Sequence, residues 1–246
     1  VDSQGRKIED REILDRIKLS VLLTKEFTYF LVKAPDPYAA LSRFEQLLGD
    51  ILRKPFREEW ISYFADSGNL QDFARLLGAS DFLWEDFIRL QYESLLPLLK
   101  PEGHGRLLSG SPDELRKRLD EVLEACDSLE EKKRAVNKFK DQEIFLIDLD
   151  HILHRGMDIK FLAERLTALA EIVVNAASDA VYSDLVRRHG RPASVAGLYA
   201  DFAVLGLGKF GGAALGYASD IELMFVYNDN GRTDGETPID NSEFFN

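Results

Sequence analysis

The chain has 246 residues, 45% of them hydrophobic, which is enough to bury a sizeable core. Its 43 acidic and 31 basic residues give a net charge of -12, which argues against large nucleic acids as partners because phosphate binders cluster Lys and Arg. No segment approaches the roughly 20 apolar residues of a membrane span, and the N-terminus carries no apolar secretory signal. We therefore expect a cytoplasmic protein with no membrane partner. Because Cys126 stands alone, an internal disulfide is excluded.

Apolar residues recur every three or four positions from about Glu9 to Arg188, which is the period of amphipathic helices. Pro, Gly, Asp and Ser residues divide this stretch into shorter segments. The sequence predicts Ser111 as a helix N-cap, followed by Pro112 at the first helical position. The Glu114 side chain can in turn bond to the backbone N–H of Ser111, which completes a capping box. The sequence predicts helices over Ile13 to Val32, Pro37 to Leu52, Arg57 to Ala65, Asn69 to Leu77, Leu83 to Leu99, Pro112 to Ala125, Leu129 to Ile152 and Asp158 to His189.

The pattern changes after the last predicted helix. Phe202 to Leu205 and Glu222 to Tyr227 are short apolar runs that predict two strands, whereas the polar tail from Asn228 to Asn246 predicts a loop. Two strands alone are not stable in water, so this hairpin either docks on the helices or belongs to a longer protein, and the second is favoured. The predicted fold class is α+β and predominantly α-helical. A helical domain occupies residues 1–200, and an incomplete second domain begins at 201–246.

A glycine-rich segment, Gly206 to Gly212, separates the two predicted strands, and Ser219-Asp220-Ile221-Glu222 leads into the second strand. Successive glycines let a phosphate approach the backbone closely, and Lys209 adds a cation near the same oxygens. Positions two apart on a strand face the same side, so Asp220 and Glu222 present their carboxylates together. Mg²⁺ prefers such oxygen ligands and bridges them to substrate phosphates. The combination predicts phosphoryl or nucleotidyl transfer.

The glycines have two other interpretations. An ordinary turn followed by surface acids explains either half of the motif alone, but the joint order of strand, glycine turn and acidic strand favours a functional site. Gly206, Gly208 and Gly211 also satisfy G-x-G-x-x-G, with Asp229 near the distance of a ribose ligand. That dinucleotide site needs a crossover helix of about a dozen residues, and the segment from Gly212 to Ser219 is too short for one.

The segments Phe202 to Gly212 and Tyr217 to Tyr227 resemble the signature of the glutamine synthetase adenylyltransferases, which belong to the DNA polymerase β-like nucleotidyltransferase superfamily. In that signature a strand, G-x-G-K-x-G-G and S-D-x-D follow in order. The resemblance implies that residues 201–246 begin a nucleotidyltransferase domain built on a polymerase β-like mixed sheet. Weaker collinear similarity extends over most of the chain, at Asp36-Pro37, Ala79 to Leu83, Phe139 to Glu143 and Arg188-His189-Gly190.

Enzymes of this family carry two catalytic units. The N-terminal unit removes AMP from a tyrosine of glutamine synthetase by phosphorolysis, and the C-terminal unit adds it from ATP. The upstream helices resemble those before the first unit, which implies the deadenylylating half. The resemblance implies Mg²⁺ as cofactor, ATP, ADP or phosphate as substrates, glutamine synthetase as the protein substrate and a PII-type signal protein as a further partner.

The resemblance also assigns residue roles. It implies that Asp220 and Glu222 are catalytic residues that bind the metal. It also implies a set of residues that bind the nucleotide phosphates, namely Gly206, Gly208, Lys209, Gly211, Gly212 and Ser219. Two departures stand out, because the family usually has Asp where this chain has Glu222 and an acid where it has Ala214. They leave open a second hypothesis, a degenerate unit that binds nucleotide or partner proteins without chemistry.

The superfamily uses a third carboxylate on a later strand. The tail acids lie in the segment predicted as loop, and none precedes a strand pattern, namely Asp229, Asp234, Glu236, Asp240 and Glu243. We therefore expect the third acid beyond Asn246 and little catalysis by residues 1–246 alone.

Overall fold

The computed structural model describes residues 10–53, 67–79, 81, 84–85, 107–154, 157–216 and 219–246. The chain forms two compact units. The first comprises Val1–Leu108 with Leu149–Arg155, and the second comprises Ser109–Asp148 with Gly156–Asn246. The helix predicted over Arg57 to Ala65, and nearly all of the one over Leu83 to Leu99, lie outside the described residues. None of the helices described is both long and apolar enough to cross a membrane.

Three helices in the first unit confirm the predicted segments to within three residues: α1 (Asp10–Leu31), α2 (Pro37–Arg53) and α3 (Ser67–Leu77). Their apolar stripes meet in a buried core, as the helical period requires. The ring of Phe27 on α1 stacks on Phe44 of α2 with 3.9 Å between centroids, and its edge meets Phe73 of α3 at 6.2 Å. One aromatic side chain thus joins all three helices.

The second unit contains α4 (Pro112–Glu124), α6 (Ile159–His189) and most of α5 (Leu129–Leu153), as predicted. The start of α4 is the predicted capping box. The Ser111 hydroxyl accepts from the Glu114 backbone N–H at 3.4 Å, and the Glu114 carboxylate accepts from the Ser111 N–H at 2.8 Å. These two bonds satisfy donors that a helix start otherwise leaves open.

An apolar cluster joins the helices of the second unit. It contains buried side chains of α4, α5 and α6 together with Phe210 and Leu215, and Leu223 packs against it. The glycine segment is therefore anchored on the helical core through Phe210. The buried helical members are Leu115, Leu119, Val136, Phe139, Ile147, Leu162, Leu166, Leu169, Ala170 and Ile172.

Two strands, β2 (Phe202–Leu207) and β3 (Glu222–Tyr227), form the predicted pair. They run antiparallel, with Phe202 opposite Tyr227 and Leu207 opposite Glu222. This sheet docks on α6, where the Phe202 ring stacks on Tyr182 at 5.4 Å. The α+β, predominantly helical fold class is confirmed, whereas the predicted domain boundary at residue 200 stays a prediction.

The loop prediction for the polar tail is wrong in two places. The tail contains β4 (Gly231–Thr233), which pairs antiparallel with β1 (Pro192–Ser194), and a short helix, α8 (Asn241–Phe244). Strands of three residues are too short to show an alternating pattern. They form because the rest of the fold positions them: Asn241 donates from Nδ2 to the carbonyl oxygens of Ala193 at 3.1 Å and Asp229 at 3.0 Å.

Candidate active site at the glycine turn

The chain leaves β2 through a tight turn. Gly208 has φ +53°, a left-handed conformation that side chains with a Cβ rarely adopt, and it begins the four-residue helix α7 (Gly208–Gly211). The N–H of Gly212 donates to the Gly208 carbonyl at 3.1 Å, and the N–H of Ala214 donates to the Lys209 carbonyl at 2.8 Å. These bonds hold the turn in one shape at the end of the sheet.

Two of the predicted phosphate-binding glycines have a packing role inside this turn. A Cβ at Gly206 would lie 2.7 Å from the buried Phe210 ring, and a Cβ at Gly211 would overlap the Gly206 carbonyl oxygen. A Cβ at Gly212 would instead make ordinary contact, 3.4 Å from the Gly208 carbonyl oxygen. Phe210 was not among the predicted site residues, although one large apolar side chain amid glycines is the signal of an anchor.

The structure brings Gly208 and Glu222 together. Because Glu222 is the cross-strand partner of Leu207, its side chain reaches the next residue, Gly208. A Cβ at Gly208 would lie only 2.5 Å from Glu222 Oε2 and 3.3 Å from its Cδ. The carboxylate thus lies directly over the bare Cα of the turn.

The other predicted site residues lie on the turn and on the approach to β3. Asp220 is exposed two residues before Glu222, and Lys209 is exposed on α7, where it forms no ion pair with any residue the structure describes. The Ser219 hydroxyl accepts from the Gly216 N–H at 3.2 Å, and the Ser219 N–H donates to the Gly216 carbonyl at 3.2 Å. Ser219 therefore closes the loop that leads Asp220 into the strand.

Glu222 belongs to a face of the sheet that is open to solvent. Cross-strand partners share a face, so this open face consists of Ala203, Leu205, Leu207, Glu222, Met224 and Val226. Its four large apolar side chains are 38–47% exposed. The opposite face packs on α6. The acidic end of β3 is therefore reached from the side of the sheet that the helices leave uncovered.

The donor set fits a magnesium ion. Asp220 and Glu222 supply carboxylate oxygens at an exposed strand end, and Mg²⁺ takes one or two carboxylates while water and substrate phosphates complete its coordination. Gly208, which has no side chain, lies against the Glu222 carboxylate at this strand end. Across the parts of the chain that are described, no three His, Cys, Asp or Glu side chains gather closely enough to hold a metal.

Two of the five tail acids use their side chains in contacts with other residues that the structure describes. Asp234 Oδ1 accepts from the Arg191 N–H at 2.7 Å, and Asp240 Oδ1 lies 3.1 Å from Arg232 Nε. Both contacts support the β1–β4 sheet. Asp229, Glu236 and Glu243 are exposed.

Comparison with known proteins decides the family. Residues 70–246 match the glutamate-ammonia ligase adenylyltransferase family. The chain belongs to this family. It is similar to the bifunctional glutamine synthetase adenylyltransferase/adenylyl-removing enzymes of Shewanella loihica and Thioalkalivibrio sulfidiphilus. Identity is 30% over 246 residues (96% of this chain, 24% of the relative) for the first and 46% over 80 residues (32% and 8%) for the second.

The enzyme of the same name from Shewanella frigidimarina is 35% identical over 137 residues, covering 54% of this chain and 14% of the relative. The chain thus spans about a quarter or less of the length of these relatives. At two site positions this chain departs from the usual sequence of the adenylyltransferase family, and the two residues lie in different surroundings. Glu222 lies over Gly208, and Ala214, which is exposed, closes the turn through its backbone.

Proposed function

We propose that the whole protein removes AMP from a tyrosine of glutamine synthetase, or transfers AMP to it, in a Mg²⁺-dependent reaction. The observation that carries the proposal is the contact of the Glu222 carboxylate with Gly208, with Asp220 two residues earlier on the approach to the same strand. Family membership supports it, since the relatives named above are adenylyltransferase and adenylyl-removing enzymes. We assign glutamine synthetase as the protein substrate on the basis of that similarity.

The two directions of the reaction use the same displacement at phosphorus. In removal, a phosphate oxygen attacks the phosphorus of the tyrosyl-AMP, the bond to the tyrosine oxygen breaks, and ADP and a protonated tyrosine result. In the addition reaction, the tyrosine oxygen loses its proton and attacks the α-phosphorus of ATP, and pyrophosphate leaves. One pair of carboxylates therefore serves either direction.

Each residue of the turn has a role in this proposal. Asp220 and Glu222 hold Mg²⁺, which when bound offsets the charge that develops on the attacking and leaving oxygens. Gly208 lets the phosphates approach the backbone, and Lys209 offsets their charge. Ser219 keeps the loop before Asp220 in place through its bonds to Gly216.

The proposal extends to parts of the protein that the resemblance implies. A third carboxylate lies beyond Asn246, and a PII-type signal protein regulates the cytoplasmic enzyme. Release of the labelled adenylyl group as ADP from modified glutamine synthetase, measured at equal concentrations of residues 1–246 and of a longer chain, tests the first point. Equal turnover by both would place the third acid within the tail.

A second candidate function has a specific observation in its favour. Ala214 offers no carboxylate where the family usually has an acid, as expected of a unit that binds nucleotide or a partner without chemistry. Nucleotide binding without turnover by the whole protein would support this degenerate regulatory unit.

Asp220→Asn tests the metal role. Because Asp220 is exposed, we expect the unfolding temperature to stay unchanged while the affinity for ATP in Mg²⁺ falls at least about tenfold, or ~1.4 kcal/mol. Isothermal titration calorimetry on the whole protein, with Mg²⁺ and with EDTA, measures both affinities.

Asp201→Asn is the matched control, since Asp201 is an exposed acid just before β2, at the other end of the sheet. Its ATP affinity should equal that of the wild type. Identical ATP affinity of the Asp220→Asn variant and the wild type in Mg²⁺ would remove the metal site from the proposal.

A further inference from the structure

Glu222 occupies the position that a phosphate would need at the turn. Gly208 offers a bare Cα on the exposed side of the sheet, and Glu222 Oε2 lies where a Cβ would otherwise project. A phosphate oxygen that approaches Gly208 from this side meets the carboxylate first. Two negatively charged groups this close together repel one another.

We propose that Glu222 gates the glycine turn: in the metal-free protein its carboxylate covers Gly208 and keeps a nucleotide phosphate away until a divalent cation is bound. The inference rests on the proposed function, because it concerns the order in which that site takes its ligands. It gives the Glu222 side chain two arrangements, one over Gly208 and one directed to the cation beside Asp220.

The length of the side chain is essential to this gate. Glu222 is fixed at the end of β3 by its pairing with Leu207, and it reaches over Gly208 only because a glutamate extends about one C–C bond further than an aspartate. An aspartate at this position would draw its carboxylate back from Gly208. The gate is therefore a property of this chain rather than of the usual S-D-x-D sequence.

Binding of ATP in EDTA is the direct test, since the gate acts when no divalent cation is present. We expect Glu222→Ala to raise the affinity of the whole protein for ATP in EDTA by about tenfold, the order expected for removing one like charge beside an exposed site. Glu222→Asp should raise it by a smaller factor. Both variants should narrow the ratio between the affinities measured in Mg²⁺ and in EDTA.

Glu124→Ala is the control for loss of one negative charge, because Glu124 is an exposed glutamate at the end of α4. Its ATP affinity in EDTA should equal that of the wild type. If Glu222→Ala also leaves this affinity unchanged while the wild type binds ATP in Mg²⁺, the gate is overturned and the proposed function stands. If neither the wild type nor any of the variants binds ATP in Mg²⁺, both the gate and the proposed function are overturned.

Discussion

The second unit contains two kinds of carboxylate, and their surroundings are opposite. Glu143 and Asp148 on α5 are buried, whereas Asp220 and Glu222 at the glycine turn are exposed. Glu143 Oε1 lies 2.9 Å from an Arg118 nitrogen, and its Oε2 accepts from the Ser109 hydroxyl at 2.9 Å. Asp148 is 1% exposed, and its Oδ1 has no hydrogen-bond partner among the residues described.

The two buried acids show how a fold accommodates a carboxyl group out of water. Glu143 has an ion pair and a hydrogen bond, whereas burial raises the pKa of Asp148 to about 8, so it stays protonated at neutral pH. Asp220 and Glu222 form no ion pair with any described residue, and neither of them lies in a helix. Their charges are therefore free to meet a cation, which is the reason to place ligand chemistry at the turn.

Asp148 should have the largest effect on the free energy of unfolding. Unfolded, its carboxyl ionises near the ordinary value of 3.8, whereas the folded protein holds the proton up to about 8. Unfolding in this window releases a proton, so Asp148 should lower the free energy of unfolding by about 1.4 kcal/mol for each pH unit of increase. Asp148→Asn should remove that slope, as measured by urea unfolding from pH 5 to pH 8.

The exposed Asp141 on the same helix provides the control for this comparison. Asp141→Asn should leave the slope of stability against pH as it is in the wild type. A wild-type slope that persists in the Asp148→Asn variant would mean that Asp148 is ionised in the folded protein, and the contrast between the two kinds of acid would fail.

The glycine turn gives an effect of intermediate size. Gly211→Ala places a Cβ on the Gly206 carbonyl oxygen, so the backbone must move and the free energy of unfolding should fall by about 2–3 kcal/mol. Gly212→Ala, one residue later, makes only ordinary contacts and should change it by less than about 1 kcal/mol. Chemical unfolding of both variants measures the difference. Equal losses would contradict the packing role given to Gly211.

The open face should give the smallest effect. Leu205 is 45% exposed, so Leu205→Ala in residues 1–246 should lower the free energy of unfolding by less than about 1 kcal/mol. The matched change at the buried Leu215, Leu215→Ala, should cost about 2–4 kcal/mol. Comparable losses at the two leucines would show that the open face is covered in solution.

The sequence determined the elements whose signals are local. The apolar period predicted the six long helices that the structure describes, α1 to α6, to within three residues, and the capping box at Ser111 and Glu114 needed only four consecutive residues to be identified. The β2–β3 pair and the family followed from the order of strand, glycine turn and acidic strand, which is likewise contiguous in the chain.

Tertiary structure alone decided the features that depend on distant residues. The β1–β4 pair has strands too short for a pattern, and Asn241 fixes it through the carbonyl of Ala193, 48 positions away. The contact of Glu222 with Gly208 depends on the antiparallel register. Asp148 reads as one acid among many on a polar helix, and only the packing of the core around it raises its pKa, because desolvation is a property of the surroundings rather than of the residue.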